Sequence, residues 1–98
     1  MTVKFGVLAV LEAKPEKGAD LEAFLESGRA IAAAEQGTVT WYAFKLEGST
    51  YGIFDTFESE EARNAHLGGE IPRALSRVAP ELLAKDPQIQ LIDVLAVK

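Results

Sequence analysis

The sequence contains no cysteine, no basic cluster and no long hydrophobic run, and each absence excludes a class of protein. Without cysteine there is no disulfide framework, thiolate metal site or thiol nucleophile. The 10 lysines and arginines are scattered singly in a chain of net charge −5, which argues against binding to nucleic acid or to a membrane surface. No apolar run approaches the ~18 residues of a membrane-spanning helix, and the N-terminus lacks a signal-peptide pattern. We therefore expect a soluble, cytoplasmic protein, with residues 1–98 forming one domain.

Histidine is nearly as scarce, since His66 is the one imidazole in the chain. A zinc site needs further histidine or cysteine ligands at suitable spacing, and none is present. Gly68-Gly69 lacks the spacing of a phosphate-binding glycine loop. The sequence therefore predicts neither a metal nor another cofactor.

The apolar pattern predicts the order strand, helix, strand, strand, helical region, strand. Strands are predicted over Val3–Ala13, Thr38–Leu46, Tyr51–Phe57 and Gln88–Val97. Helices are predicted from Asp20 to a cap at Gly37, from the N-cap Ser59 to about Leu67, and from Ile71 to about Ala84, with a break or restart at Pro80. The order β-α-β-β-α-β is typical of the α+β ferredoxin-like fold, with a four-stranded antiparallel sheet and helices on one face.

The turn after the second strand fixes which side chains share a face of the sheet. If the hairpin loop has two residues, Gly48 and Ser49, then Tyr42 lies opposite Asp55. One face of the hairpin then carries Tyr42, Phe44, Ile53, Asp55 and Phe57, and the other carries Trp41, Ala43, Gly52, Phe54 and Thr56.

Both faces of the predicted sheet are apolar, although helices can cover only one of them. A strand with a solvated face would alternate apolar and polar residues, and these strands do not. A second copy of the sheet would cover the remaining face. The sequence therefore predicts a homodimer with its sheets packed face to face.

Asp55 and His66 are the residues most suggestive of chemistry. Asp55 interrupts an apolar strand, and His66 continues a helix stripe formed by Ala62 and Ala65. We expect both side chains to point into the same helix-side cavity. Structural roles are the alternatives: His66 bonded to a backbone carbonyl, and Asp55 at an exposed edge or bonded to a backbone amide or to Arg63.

Three segments resemble the antibiotic biosynthesis monooxygenase family of dimeric α+β barrels. They are Gly37-Thr38 leading to an aromatic at Trp41 or Tyr42, the strand Tyr51–Phe57, and Ser59–Ala62 followed by Ala65-His66. The resemblance spans nearly the whole chain. It departs from the usual family pattern in having Asp55 where Glu is frequent and Phe57 where Trp is common.

This resemblance implies an aromatic-binding pocket between sheet and helices. Enzymes of the family oxidise quinols or polycyclic phenols with O₂, without metal or flavin, and the resemblance assigns His66 and Asp55 as catalytic. The substrate-binding aromatics would be Tyr42, Trp41, Phe57, Phe44 and Phe24.

Two other functions remain open. In a non-enzymatic small-ligand-binding or stress-associated barrel, Phe24, Leu25, Phe44 and Phe57 would fill the pocket, and Trp41 and Tyr42 would be core or interface residues. A haem-degrading relative would use His66 as axial ligand, but the first-strand Asn and third-strand Trp of that subgroup are missing.

Overall fold

A computed structural model describes residues 2–98, which form a four-stranded antiparallel sheet with helices on one face. The strands are β1 (Phe5–Glu12), β2 (Thr38–Lys45), β3 (Thr50–Phe57) and β4 (Gln88–Asp93), in the order β2-β3-β1-β4. The helices are α1 (Gly18–Ala34), α2 (Glu60–Leu67) and α3 (Glu70–Leu82). The predicted ferredoxin-like arrangement is confirmed, with α2 and α3 together forming the second helical region.

The ends of α1 and of the last strand differ from the prediction, and so does the predicted break at Pro80. Helix α1 ends at Ala34, and its cap is the extended residue Glu35, whose N–H bonds to Ala32 O, rather than Gly37. Pro80 does not interrupt α3, because it lies in the last turn, where only one backbone bond is lost before the helix ends. The last strand stops at Asp93 instead of Val97.

The core lies between the sheet and helices α1 and α3. Alternate residues of β1 and β3 point to it, as the period of a strand requires. The buried apolar residues that form it are Ala9, Leu11, Ala13, Leu21, Leu25, Tyr51, Ile53, Leu75, Leu82 and Leu83. Asp55 belongs to the same face of β3 and is also buried there.

The hairpin between β2 and β3 has a different register from the one predicted. Leu46 N–H bonds to Thr50 O, so the loop has one more residue than expected, and Gly48 adopts a φ of 70° within it. Trp41, and not Tyr42, therefore lies opposite Asp55. The extra residue moves Tyr42 and Phe44 to the opposite face of the sheet from Asp55, because side chains alternate along a strand.

The face of the sheet away from the helices is apolar and uncovered. Its side chains include Leu8, Val10, Phe54, Ile92 and the 57%-exposed Tyr42. Phe44 leans over Gly52, where an added Cβ would lie 2.4 Å from the ring. None of the helices formed by residues 2–98 has the length and apolar character needed to cross a bilayer.

Candidate functional site

His66 lies between two carboxylates, one on each ring nitrogen. Its Nε2 is 3.0 Å from Oδ2 of Asp55, and its Nδ1 is 2.8 Å from Oε1 of Glu35. The same Glu35 oxygen accepts a 2.7 Å hydrogen bond from the Thr38 hydroxyl. The three residues form a chain of hydrogen bonds, here called the Asp55–His66–Glu35 chain, that runs from the core to the molecular surface.

Each member of the chain comes from a different element. Asp55 projects from the middle of β3, and Glu35 is the extended residue that ends α1. His66 lies in the last turn of α2, whose first turn is fixed by the predicted N-cap, since Ser59 Oγ accepts a 3.1 Å bond from Ala62 N–H. The His66 ring also packs against buried Phe57, with 5.3 Å between ring centroids.

This geometry favours a protonated imidazole. Two ionised carboxylates offer only acceptors, and a neutral imidazole carries one N–H, whereas the imidazolium carries two. Burial lowers the pKa of His66, but the hydrogen bonds and charges of Asp55 and Glu35 outweigh it and raise the pKa above its ordinary value of 6.5. The two acceptors and the raised pKa therefore both favour the imidazolium form of the buried ring.

A raised pKa links the stability of the fold to pH. Above pH ~6.5 the folded protein keeps a proton on His66 that the unfolded chain loses, so this stabilisation is full below ~6.5 and disappears as pH rises through the folded-state pKa. We expect the free energy of unfolding of the wild type, relative to His66→Gln, to be largest near pH ~6 and to decline towards pH ~9. Urea denaturation at several pH values measures it. A difference between the two proteins that grows with pH would contradict a raised pKa of His66. The control is Asn64→Ala, on the exposed side of α2.

An open cleft of about 680 Å³ begins at His66 and Glu35. It lies between the C-terminal end of α1, helix α2 and the start of α3. The lining is largely apolar, and its apolar side chains are Ile31 and four alanines, Ala30, Ala34, Ala62 and Ala65. Polar contributions come from Glu35, Gln36, Thr38, His66 and Glu70.

The structure brings together the two residues on which the sequence-based site depends. Asp55 and His66 both lie on the helix side of the sheet and contact each other. The expectation that both line one cavity is wrong for Asp55, which is buried behind the imidazole and does not reach the cleft. His66 bonds carboxylates and not a backbone carbonyl, so that alternative is also wrong.

The five aromatic side chains predicted to bind substrate do not line this cleft. Trp41 and Phe24 pack against the core, and Phe57 is fully buried beneath His66. Tyr42 and Phe44 lie on the open face of the sheet because of the hairpin register. The expectation that Tyr42 and Phe44 share a face of the sheet with Asp55 is therefore wrong.

Glu35 is the functional candidate that the sequence did not reveal. Glu35 follows the Ala-rich end of α1 and is 31 residues from His66 in the sequence, so no local pattern links the two residues. A signal was present, since an acid at a helix C-terminus opposes the helix dipole and so suggests a local partner for its charge.

Arg63, the other buried charge on α2, is not the counterion of Asp55. Its guanidinium reaches the carbonyl oxygens of Gly6 and Ile92 at 3.4 and 3.3 Å and lies 3.6 Å from the Glu60 carboxylate. Asp55 Oδ1 has no hydrogen-bond partner within residues 2–98. His66 is therefore the group that compensates the buried Asp55 charge.

The described chain shows no cluster suited to a metal ion. Residues 2–98 bring together no group of three or more histidine, cysteine, aspartate or glutamate side chains that could hold one. Asp55 and Glu35 bond opposite nitrogens of one ring, so they do not converge on a common point. The Asp55–His66–Glu35 chain is suited to holding and moving a proton.

Comparisons with solved structures identify relatives. A protein of unknown function from Nitrosomonas europaea, NE2512, is 44% identical, with a TM-score of 0.95 over 98% of this chain and 93% of that one. A putative antibiotic biosynthesis monooxygenase from Caulobacter crescentus is 23% identical, with a TM-score of 0.81 over 96% and 92% of the two chains. No protein-family model and no curated protein matches the sequence. The similarity to NE2512 shows that the two proteins belong to one family. The similarity to the Caulobacter crescentus protein confirms the resemblance to the monooxygenases at the level of the fold.

Proposed function

The chain belongs to the same family as the NE2512 protein and has the fold of the antibiotic biosynthesis monooxygenases, and from this we propose that it is an oxygenase. It would act with O₂, without metal or flavin, on a phenol or quinol held in the cleft beside His66. The observation that carries the proposal is the Asp55–His66–Glu35 chain, which ends at a largely apolar cleft.

Glu35 is the group in this chain that a ligand would meet. Its side chain is 22% exposed, whereas those of His66 and Asp55 are 5% and 2% exposed. Its Oε1 is occupied by His66 and Thr38, and no hydrogen bond from residues 2–98 reaches Oε2. Glu35 Oε2 would accept the proton of a substrate hydroxyl, while the His66 imidazolium behind it stabilises the phenolate that forms.

The proposed reaction balances without another reductant. An electron-rich phenol or quinol with an unsubstituted ortho or para ring carbon gives up its hydroxyl proton to Glu35 and then reacts at that carbon with O₂. One oxygen atom becomes the new carbonyl of a quinone, and the other leaves as water with the hydroxyl proton and the ring hydrogen. The substrate supplies all the electrons that O₂ takes up. The protein therefore needs to supply a cleft of suitable shape, exclusion of water and a proton acceptor.

Oxygen uptake tests this proposal. Metal-stripped protein is mixed with hydroquinones, naphthols and naphthoquinols in an oxygen-electrode cell, and the rate is compared with that of buffer. We expect uptake well above autoxidation for at least one substrate, together with a quinone or hydroxyquinone product that carries ¹⁸O from ¹⁸O₂. A rate equal to buffer across the panel would overturn the oxygenase proposal.

A non-enzymatic binding protein is the second candidate, and one observation favours it. Both nitrogens of His66 already have partners, so the imidazole has no free nitrogen for a substrate. Binding of an aromatic ligand in the cleft with no oxygen uptake would support this function over the oxygenase.

We also propose that the chain forms a homodimer through the open face of the sheet. The support is the uncovered apolar surface of β1–β4, which includes Leu8, Phe54 and Tyr42. Contiguous apolar patches of this kind are rare on monomers. A stable interface between two such faces would bury well over ~1,000 Å² in total.

Sedimentation velocity tests the dimer. We expect a dimer at low micromolar concentration in the wild type and a monomer for Tyr42→Lys, because a charge introduced on the open face would have to be desolvated in the interface. Ala23→Lys, on the exposed side of α1, should remain dimeric. A stable wild-type monomer at these concentrations would contradict the proposal.

A further inference from the structure

The charged groups that face the cleft are strongly biased towards one sign. Glu35 and Glu70 line it, and Asp55 lies directly behind His66. Among residues 2–98, the lining includes no lysine or arginine. With His66 protonated, these four groups carry a net charge of −2. The cleft is therefore negative even with its imidazole in the cationic form.

The cleft also offers one hydrogen-bond acceptor with no partner among residues 2–98, and an apolar wall. Glu35 Oε2 faces the start of α3, where a Cβ added to Gly69 would lie 3.6 Å from it. The alanines of α1 and α2 form the apolar side of the same cleft. A flat apolar ligand that donates one hydrogen bond would satisfy Oε2 and cover these methyl groups.

We infer that the cleft selects an uncharged aromatic hydroxyl compound, donating its O–H to Glu35 Oε2, and rejects aromatic carboxylates and phosphates. The inference rests on the proposed function in placing the ligand in the same cleft, and it deepens that proposal by fixing the charge of the substrate. A ligand that arrives with its own negative charge is repelled by the net charge of −2 that these groups carry. It also brings no proton for Glu35 to accept.

The same electrostatics are compatible with forming a phenolate in place. When the hydroxyl proton moves to Glu35, the negative charge moves from the carboxylate to the substrate oxygen, and the total charge in the cleft does not change. An anion that enters from solvent adds its charge to those already present. The cleft therefore distinguishes a phenol, un-ionised at pH 7 with a pKa near ~10, from an anion of similar shape.

Anaerobic binding measurements test the inference without any turnover. The probes are 2-naphthol, 2-naphthoate and 2-naphthyl phosphate, titrated into the wild-type protein and followed by calorimetry. We expect 2-naphthol to bind at least about ten-fold more tightly than either anion. Equal or tighter binding of the anions would overturn the inference.

Two variants locate the ligand and its contact. Glu35→Gln keeps the shape but replaces a charged acceptor with a neutral one, so 2-naphthol should bind about five- to ten-fold more weakly while 2-naphthoate binds more tightly. Ala30→Leu narrows the cleft and should weaken 2-naphthol binding, whereas Ala23→Leu, also exposed on α1 but outside the cleft, should not. A Glu35→Gln variant that weakens both ligands equally, or unchanged binding in Ala30→Leu, would overturn the inference.

This test separates the inference from the oxygenase proposal. If 2-naphthol binds with the expected preference but no oxygen is consumed, the selectivity stands and the oxygenase proposal fails. If oxygen is consumed but phenol and anion bind alike, the oxygenase proposal stands and the selectivity is wrong.

Discussion

Glu35→Gln should lower the rate of oxygen uptake by about 10²–10⁴-fold, the usual contribution of a general base. The amide cannot accept the hydroxyl proton, yet it can still accept a hydrogen bond from His66 through its oxygen. Because the substitution preserves the size of the side chain, it should change kcat more strongly than the free energy of unfolding. Initial rates with the best hydroquinone or naphthol, alongside urea denaturation, measure both quantities.

A matched variant separates this effect from a general change in charge. Glu26→Gln removes another acid from α1, at an exposed position outside the cleft, and should keep the wild-type rate. A Glu35→Gln variant that is as active as the wild type would remove Glu35 from the proposed chemistry.

His66→Ala should cost about 3–5 kcal/mol in the free energy of unfolding, the usual penalty for breaking a buried ion pair. The substitution leaves the Asp55 carboxylate buried, with its side chain 2% exposed and no compensating charge. It also removes the link through Glu35 that ties the end of α1 to α2. Urea denaturation of the two proteins at pH ~6 gives the difference, and Asn64→Ala on the same helix should cost under ~1 kcal/mol.

A double-mutant cycle shows whether the cost belongs to the pair. Asp55→Asn removes the buried charge, so His66→Ala should cost less in that background than in the wild type, by about 0.5–3 kcal/mol. Strictly additive effects would mean that the contact with Asp55 does not stabilise the fold, which would leave His66 acting through Glu35 and Phe57. If His66→Ala does not fold, His66→Gln allows the same cycle with a smaller cavity.

Local patterns were sufficient to predict the fold. The period-2 and period-3.6 repeats specify the order of strands and helices, and Ser59 caps α2 as its residue type suggests. The position of Asp55 on the helix side also follows from alternation along β3, since Ile53 and Phe57 share that face. These features depend on neighbours within a few residues, which the sequence presents directly.

The hairpin register could not be predicted in the same way. The segment Glu47–Thr50 is compatible with loops of two or three residues, and a single residue reverses every side chain of β2. Packing decides between them: the observed register places Trp41 against Gly28 of α1 and Phe44 over Gly52. The contact between Trp41 and Gly28 joins the hairpin to α1, so the loop alone does not specify the register.

The sequence by itself determined a ferredoxin-like sheet with one uncovered apolar face, and a lone acid and a lone imidazole on the helix side. Only the tertiary structure decided that Glu35 completes the site, that Asp55 lies behind His66, and that the cleft is lined by alanines and not by the predicted aromatics. The physical reason is the length of the connections. Asp55, His66 and Glu35 meet only when β3, α2 and the end of α1 pack together, and no local pattern records which ends of those elements come into contact.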